Sequence, residues 1–140
     1  MDRIEFVRRP YRDGDRDSGI QIKINGRDQA VRATAGSYVS VGRTWRANDT
    51  IEIRVPFGFH LDPVMDQPNV ASIFYGPVLL AAEETGPRTD WRPVTLDASD
   101  IGKSITGDPA TLRFSIDGVP FKPFFETYGR NSVYVHVTLK

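Results

Sequence analysis

His60 and His136 are the only imidazoles of this 140-residue chain, and it contains no cysteine. The absence of thiolates removes disulfides and cysteine metal sites, and the two histidines form no spaced ligand pair of the kind that holds zinc or its relatives. His136 alternates with Val135 and Val137, which puts it on the outer face of a strand. Nucleophilic catalysis needs a hydroxyl beside an oriented base. Ser37, Ser40, Ser72, Ser115 and Ser132 all fall in strand patterns, and no G-x-S-x-G elbow occurs. Gly102-Lys103-Ser104 lacks the upstream glycine and the strand-to-helix setting of a phosphate loop. No motif asks for a cofactor. Two carboxylates suffice for glycoside hydrolysis, which singles out Glu52, Asp62, Glu83, Glu84 and Glu126. Glu52 alternates outward on a strand and Glu83-Glu84 closes an apolar run at a connector, so the plain reading of each is a solvated or edge charge. Aromatic rings can stack on the apolar face of a sugar. Trp45 and Trp91 are the candidate sugar contacts, with Tyr38, Tyr75, Phe124, Phe125 and Tyr128 of suitable type. Core packing is the competing reading for most of them.

The elements that must position these residues are strands. The chain has 13 Val, 10 Ile and 10 Thr against 6 Leu, 9 Ala and 2 Met. Branching at Cβ suits the pleated surface of a sheet. Glu and Lys number only 5 and 4, whereas Asp, which favours turns, numbers 13. Period-2 alternation runs through 19–25, 38–42, 51–55, 57–61, 111–117 and 131–139, and a first strand is expected at 3–9, followed by a charged loop at 11–18. Asn25-Gly26 is a strong hairpin signal. The most apolar segment, 70–83, carries Gly76-Pro77 at its middle, which predicts two strands, or one strand with a bulge, rather than a helix. Around 98–103 a single helical turn is expected. Segment 119–125 places three rings around Pro120 and Pro123, which predicts an edge or irregular strand. The expected fold is an all-β antiparallel sandwich, jelly-roll-like, with little helix. Its expected core is Ile20, Ile22, Ile24, Ile51, Ile53, Ile73, Phe74, Leu79, Phe114, Val133, Val135 and Val137. One domain over 1–140 is expected, with the 84–90 connector as the candidate internal boundary.

Formal net charge is zero, with 18 basic and 18 acidic side chains, so no electrostatic footprint points to nucleic acid or anionic lipid. The longest apolar run, 78–82, is far short of the ~20 residues that span a bilayer, and no N-terminal stretch has the pattern of a signal peptide. Neither nucleic acid nor membrane is expected as a partner.

Several blocks in order carry a family resemblance. Arg9-Pro10-Tyr11 is followed by Ile-Lys-Ile-Asn-Gly at 22–26, Gly-Ser-Tyr-Val at 36–39 and Arg43-Thr44-Trp45. Asp-Thr-Ile-Glu-Ile-Arg-Val-Pro follows at 49–56, then Asn-Val-Ala-Ser-Ile-Phe-Tyr-Gly-Pro-Val-Leu-Leu-Ala at 69–81. Pro123-Phe124-Phe125 and Ser-Val-Tyr-Val at 132–135 complete the series. This order closely resembles the C-terminal β-sandwich region of glycoside hydrolase family 127, the β-L-arabinofuranosidase-like proteins. Asn48-Asp49 stands where that pattern has Gly-Asp, Phe125 where it has Tyr, and Val135 where Trp is common. The resemblance implies a bacterial-type carbohydrate-metabolism protein whose active site, a cysteine nucleophile in a zinc site, sits in a separate (α/α)₆ barrel. This chain has neither that barrel nor a cysteine, so no catalytic residue carries over.

The resemblance therefore implies a non-catalytic accessory β-sandwich that packs on a catalytic (α/α)₆ barrel or on a second copy of itself. A first strand beginning almost at Met1 suits a domain cut from a longer enzyme. Tyr75, Phe121, Phe124 and Phe125 are the candidate interface residues, because aromatic edges invite association. A carbohydrate-binding module using exposed rings such as Trp45 or Trp91 is the second expectation, and a small stand-alone enzyme the third.

Overall fold

Asn25 and Gly26 both adopt positive φ, 51° and 75°, which is what a two-residue hairpin needs to match the right-handed twist of its strands. The computed structural model describes residues 19–32 and 38–140. The strand expected at 3–9, the loop at 11–18 and the Arg9-Pro10-Tyr11 and Gly36-Ser37 blocks lie outside them. The chain divides into two compact units, Met1–Pro56 and Phe57–Lys140. The 84–90 connector lies inside the second.

In the first unit the Asn25-Gly26 hairpin joins β1 (Gln21–Ile24) to β2 (Arg27–Gln29), and β3 (Ile51–Arg54) pairs antiparallel with the other side of β1. Ile22 lies opposite Ile53 and Ile24 opposite Ile51. Ile22, Ile24 and Val39 are buried, with Ile20, Val31, Val41, Trp45, Ile51 and Ile53 packed around them. The alternation at 38–42 thus reports inward-facing side chains without a ladder, since none of those residues is in a strand. A short polar clamp closes the far end. Asn25 Nδ2 donates to Asp49 Oδ1 at 2.8 Å, and the Thr50 and Arg46 amides donate to the Asn25 and Asp49 side chains, each at 2.9 Å. Asn48 has φ 69°, the left-handed region where Gly is unstrained and Asn the next best choice. This accounts for Asn in a turn where the resembling family has Gly. Asn48→Ala is expected to lower stability by about 1 kcal/mol and Asn48→Gly to leave it within about 0.5 kcal/mol, as read by urea unfolding.

The second unit holds β4 (Phe59–Val64), β5 (Gln67–Tyr75), β6 (Val78–Glu83), β7 (Arg92–Leu96), β8 (Ile105–Asp108), β9 (Arg113–Ile116), β10 (Val119–Pro123), β11 (Asn131–Ser132) and β12 (Val135–Leu139). Two single 3-10 turns complete it, Ile101–Ser104 and Phe124–Glu126, the first capped by the Asp100 carboxylate. The fold is all-β, and no helix among the described residues is long and apolar enough to cross a membrane. The strands form one sheet in the order β7-β12-β5-β6-β10-β9-β8, with β4 on β5 and β11 on β6.

Tyr75-Gly76-Pro77-Val78 is a tight hairpin turn, Gly76 having φ 54° and Tyr75 facing Val78 across it. The Phe57 ring lies so close that a Cβ at Gly76 would meet it at 2.5 Å. Beyond the turn β5 and β6 part company. Val70 and Ala71 pair with β12, while Ala82 and Glu83 pair with β11. The stretch expected as one strand over 131–139 therefore splits into two that serve different partners. One pairing is parallel, β7 with β12.

Side chains of both halves of the sheet meet in one core: Ala71, Ile73, Leu80, Ala82, Val94, Leu96, Ile105, Phe114, Ile116, Phe121, Val135 and Val137. Phe74 and Leu79, expected in the core, are only half-buried. They are adjacent to Ile73 and Leu80 in the chain and therefore point to the opposite face. There Phe74 stacks on His60, with ring centroids 5.1 Å apart. Val133 is likewise half-buried, because it falls in the gap between β11 and β12.

The segment 119–125 corrects the expectation of an edge or irregular strand, since 119–123 is a regular strand. Strand β10 lies between β6 and β9. Its prolines are tolerated because each falls where β10 has one partner only: Pro120 pairs with β9 alone and Pro123 with β6 alone.

Candidate functional site

Glu84 follows directly on β6, and its backbone N–H donates to the Arg130 carbonyl at 2.8 Å, beside the β6–β11 pairing. Its side chain is 7 % exposed and is contacted from three directions. Arg92, the first residue of β7, donates from Nε to Oε1 at 2.7 Å and from Nη2 to Oε2 at 2.5 Å. Ser132 Oγ of β11 donates to Oε1 at 2.6 Å. Arg88, midway along the connector, reaches Oε2 at 3.6 Å. One carboxylate thus ties the connector to the start of β7 and to β11. The Arg92 fork, with lesser help from Ser132 and the two guanidinium charges, holds its pKa down to about 2 despite burial. An acid this strong is ionised at any ordinary pH and offers no proton for general-acid work. The expectation of a solvated or edge charge at Glu84 is corrected: its carboxylate is nearly covered and ion-paired, a structural anion.

The anchored connector forms one wall of a groove of about 670 Å³, and residues 130–134 form the other. Trp91, 47 % exposed, donates from its indole Nε1 to Gln67 Oε1 at 3.3 Å. Its ring meets that of Tyr134, 44 % exposed, at a centroid distance of 6.0 Å and an angle of 72°. The two rings make a corner rather than a stack. Asp90 lines the same groove, its carboxylate accepting from the Thr89 hydroxyl at 3.4 Å. Arg130 lines the opposite wall and has no ion-pair partner among the described residues.

The remaining sequence candidates are not among the residues that line this groove. Trp45 is half-buried against the small core of the first unit, with the Arg43 guanidinium 5.2 Å from its ring centre. Of the carboxylates, Glu52 faces Arg54 at 3.6 Å, Glu83 faces Lys122 at 2.5 Å, Glu126 is paired with Arg113, and Asp62 is exposed on β4. Four of the five candidates thus face a cation. His136 is exposed on β12. Among the described residues no three His, Cys, Asp or Glu side chains are grouped as metal ligands would be. Gly102, Lys103 and Ser104 form part of a 3-10 turn, in which Lys103 Nζ donates to Ser99 at 2.9 Å.

The four candidate interface rings separate. Phe121 is 1 % exposed inside the core, which corrects its assignment to a contact surface. Tyr75 is half-buried, its ring packed among Phe57, Phe59 and Phe114. Phe124 and Phe125, on the turn after β10, are 46 % and 67 % exposed, and Tyr128 beside them is 92 % exposed. Tyr134 and the Glu84 anchor are the site features that sequence reading missed. Tyr134 alternates with Val133 and Val135, which marks it as outward. The spacing of Glu84, Arg88 and Arg92 by four residues does not reveal the pairing, because the segment is a loop and not a helix.

Residues 7–57 match the family model described as "Beta-L-arabinofuranosidase, GH127 middle domain". That match ends at the boundary between the two units. Among solved structures the fold is similar to a chain titled "Glycoside hydrolase", with TM-score 0.59 and 15% identity over 94% of this chain and 27% of that one. It is similar also to a GH127 β-arabinofuranosidase, with TM-score 0.57 and 16% identity over 91% of this chain and 24% of the relative. No curated protein matches the sequence. The chain spans about a quarter of the length of the solved proteins whose fold it shares. The family model thus meets the resemblance over residues 7–57, as a middle rather than a C-terminal domain, and the solved structures share the β-rich fold.

Proposed function

We propose that the chain is a non-catalytic accessory domain of a longer GH127-type glycoside hydrolase, whose task is to hold that enzyme's domains or subunits together. The observation that carries this reading is the match of residues 7–57 to a middle domain, in a chain that covers only 27% and 24% of two solved relatives. The site chemistry supports it. The carboxylates Glu52, Glu83, Glu84 and Glu126 each face a cation, and the chain has no cysteine to act as a nucleophile. The isolated chain is expected to release no product from an aryl β-L-arabinofuranoside above background. Turnover that survives stringent purification and disappears with Glu83→Gln or Glu126→Gln overturns the non-catalytic reading.

The contact surface is assigned to Phe124, Phe125 and Tyr128, three exposed rings on one short stretch. Free monomers keep such clusters small because uncovered rings promote association. The partner is the catalytic barrel of the parent enzyme or a second copy of this chain. Phe125→Asp is expected to weaken association about tenfold or more, read by sedimentation of the chain alone and by co-purification with the rest of the parent enzyme. Unchanged association in both measurements removes this surface from the proposal.

A further inference from the structure

We propose that the groove between residues 84–91 and 130–134 is a binding site for a neutral oligosaccharide. The inference needs only the groove, and stands whether or not the accessory reading does.

Four properties carry it. The first is size: about 670 Å³ lies within the roughly 300–1,000 Å³ of ordinary small-molecule sites. The second is the aromatic corner. Trp91 and Tyr134 leave nearly half of their surfaces uncovered, yet the indole is fixed by Gln67 and by the Tyr134 ring, so it is presented in one orientation. A ring held this way offers a flat apolar face at little cost in side-chain entropy. The axial C–H groups of a sugar ring make the complementary flat apolar face.

The third property is the polar rim. Asp90 retains acceptor capacity beyond its single bond from Thr89, and the Arg130 guanidinium is uncommitted among the described residues. Adjacent hydroxyls of a sugar both donate and accept, and so can satisfy a carboxylate and a guanidinium together. The formal charges on the groove cancel, Glu84 and Asp90 against Arg88 and Arg130, and Arg88 is already spent on Glu84. A phosphate or carboxylate ligand would meet the Asp90 charge without a cation cluster to offset it, which selects a neutral ligand. The fourth property is preorganisation. The connector is pinned at its start by Glu84, at its middle by Arg88 and at its end by Arg92, all through one buried carboxylate. Little ordering then remains to be done on binding.

The chain has two tryptophans, Trp45 and Trp91, so its indole N–H signals form a two-peak readout with an internal control. Isotope-labelled chain is titrated by NMR with arabino-, xylo- and gluco-oligosaccharides, with oligogalacturonate as the anionic arm. The Trp91→Phe variant assigns the peaks. A saturable shift of the Trp91 indole at millimolar or lower concentrations of at least one neutral oligosaccharide is expected, with the Trp45 peak still. Trp91→Ala and Asp90→Ala are each expected to weaken binding about tenfold, with amide spectra otherwise like the parent's. Tyr134→Phe, which keeps the corner, is expected to retain binding. Overturning results are the absence of a saturable shift with every neutral sugar, binding of the anionic arm alone, or binding that Trp91→Ala and Asp90→Ala both leave intact.

Discussion

Phe121→Ala is expected to destabilise the second unit by about 3–5 kcal/mol, the cost of emptying a fully buried aromatic site. Phe121 is 1 % exposed, faces Ala82 across one pairing and Phe114 across the other, and stands where β10 has strands on both sides. The space it leaves is bordered by paired backbone, which cannot close over a cavity without giving up ladder hydrogen bonds. Phe125→Ala, four residues on and 67 % exposed, is expected to change stability by no more than about 0.5 kcal/mol. The contrast between two rings of the same aromatic block, measured by urea unfolding of the same chain, is the test. Equal losses, or a loss below about 1 kcal/mol at Phe121, would contradict the burial on which the assignment rests.

Glu84→Gln is expected to cost about 3 kcal/mol. It removes the charge from a pair in which Arg92 is also mostly buried, and leaves a guanidinium without its counter-ion. The pH dependence carries a sign of its own. Folding lowers the Glu84 pKa from about 4.5 to about 2, so its stabilisation is fully present above the unfolded value and is lost as pH falls from about 5 towards 2. Asp49 and Asp97, lowered by hydrogen bonds from Asn25 and Ser99 first of all, move the stability of any variant in the same direction. The difference between wild type and Glu84→Gln therefore isolates Glu84. It is expected to be largest near neutral pH and to shrink through the acid range. A difference that stays constant from pH 7 to pH 2.5 would show that Glu84 is not the charged partner described.

The Gln variant also separates the groove's architecture from its chemistry. If Glu84 acts by tethering, the connector 85–91 should exchange its amide hydrogens faster in Glu84→Gln while strands β5 and β6 keep their protection. Faster exchange spread evenly over the unit would instead point to general destabilisation.

The all-β class, most strand positions and the Asn25-Gly26 hairpin were determined by the sequence alone, because they depend on local physics. Period-2 alternation shows which residues share a face, and positive φ is open to Gly and Asn at little strain. The family resemblance was equally legible, since it rests on the order of short blocks. What only the tertiary structure decided was which strand meets which. Alternation at 38–42 looks the same whether or not a neighbour completes a ladder. Ile73 and Phe74 look equally apolar, although adjacent strand residues must point to opposite faces. The prolines of β10 suggested an edge because missing N–H groups are disfavoured mid-sheet. The offset between its two partners, which leaves each proline with one neighbour, is a fact of register and not of composition. Glu84 is the sharpest case. Its partners Arg92 and Ser132 are eight and 48 residues away in the chain, and a carboxylate in a charged connector gives no local sign that it will be buried. Long-range pairing converts it from a solvated charge into the anchor of the groove.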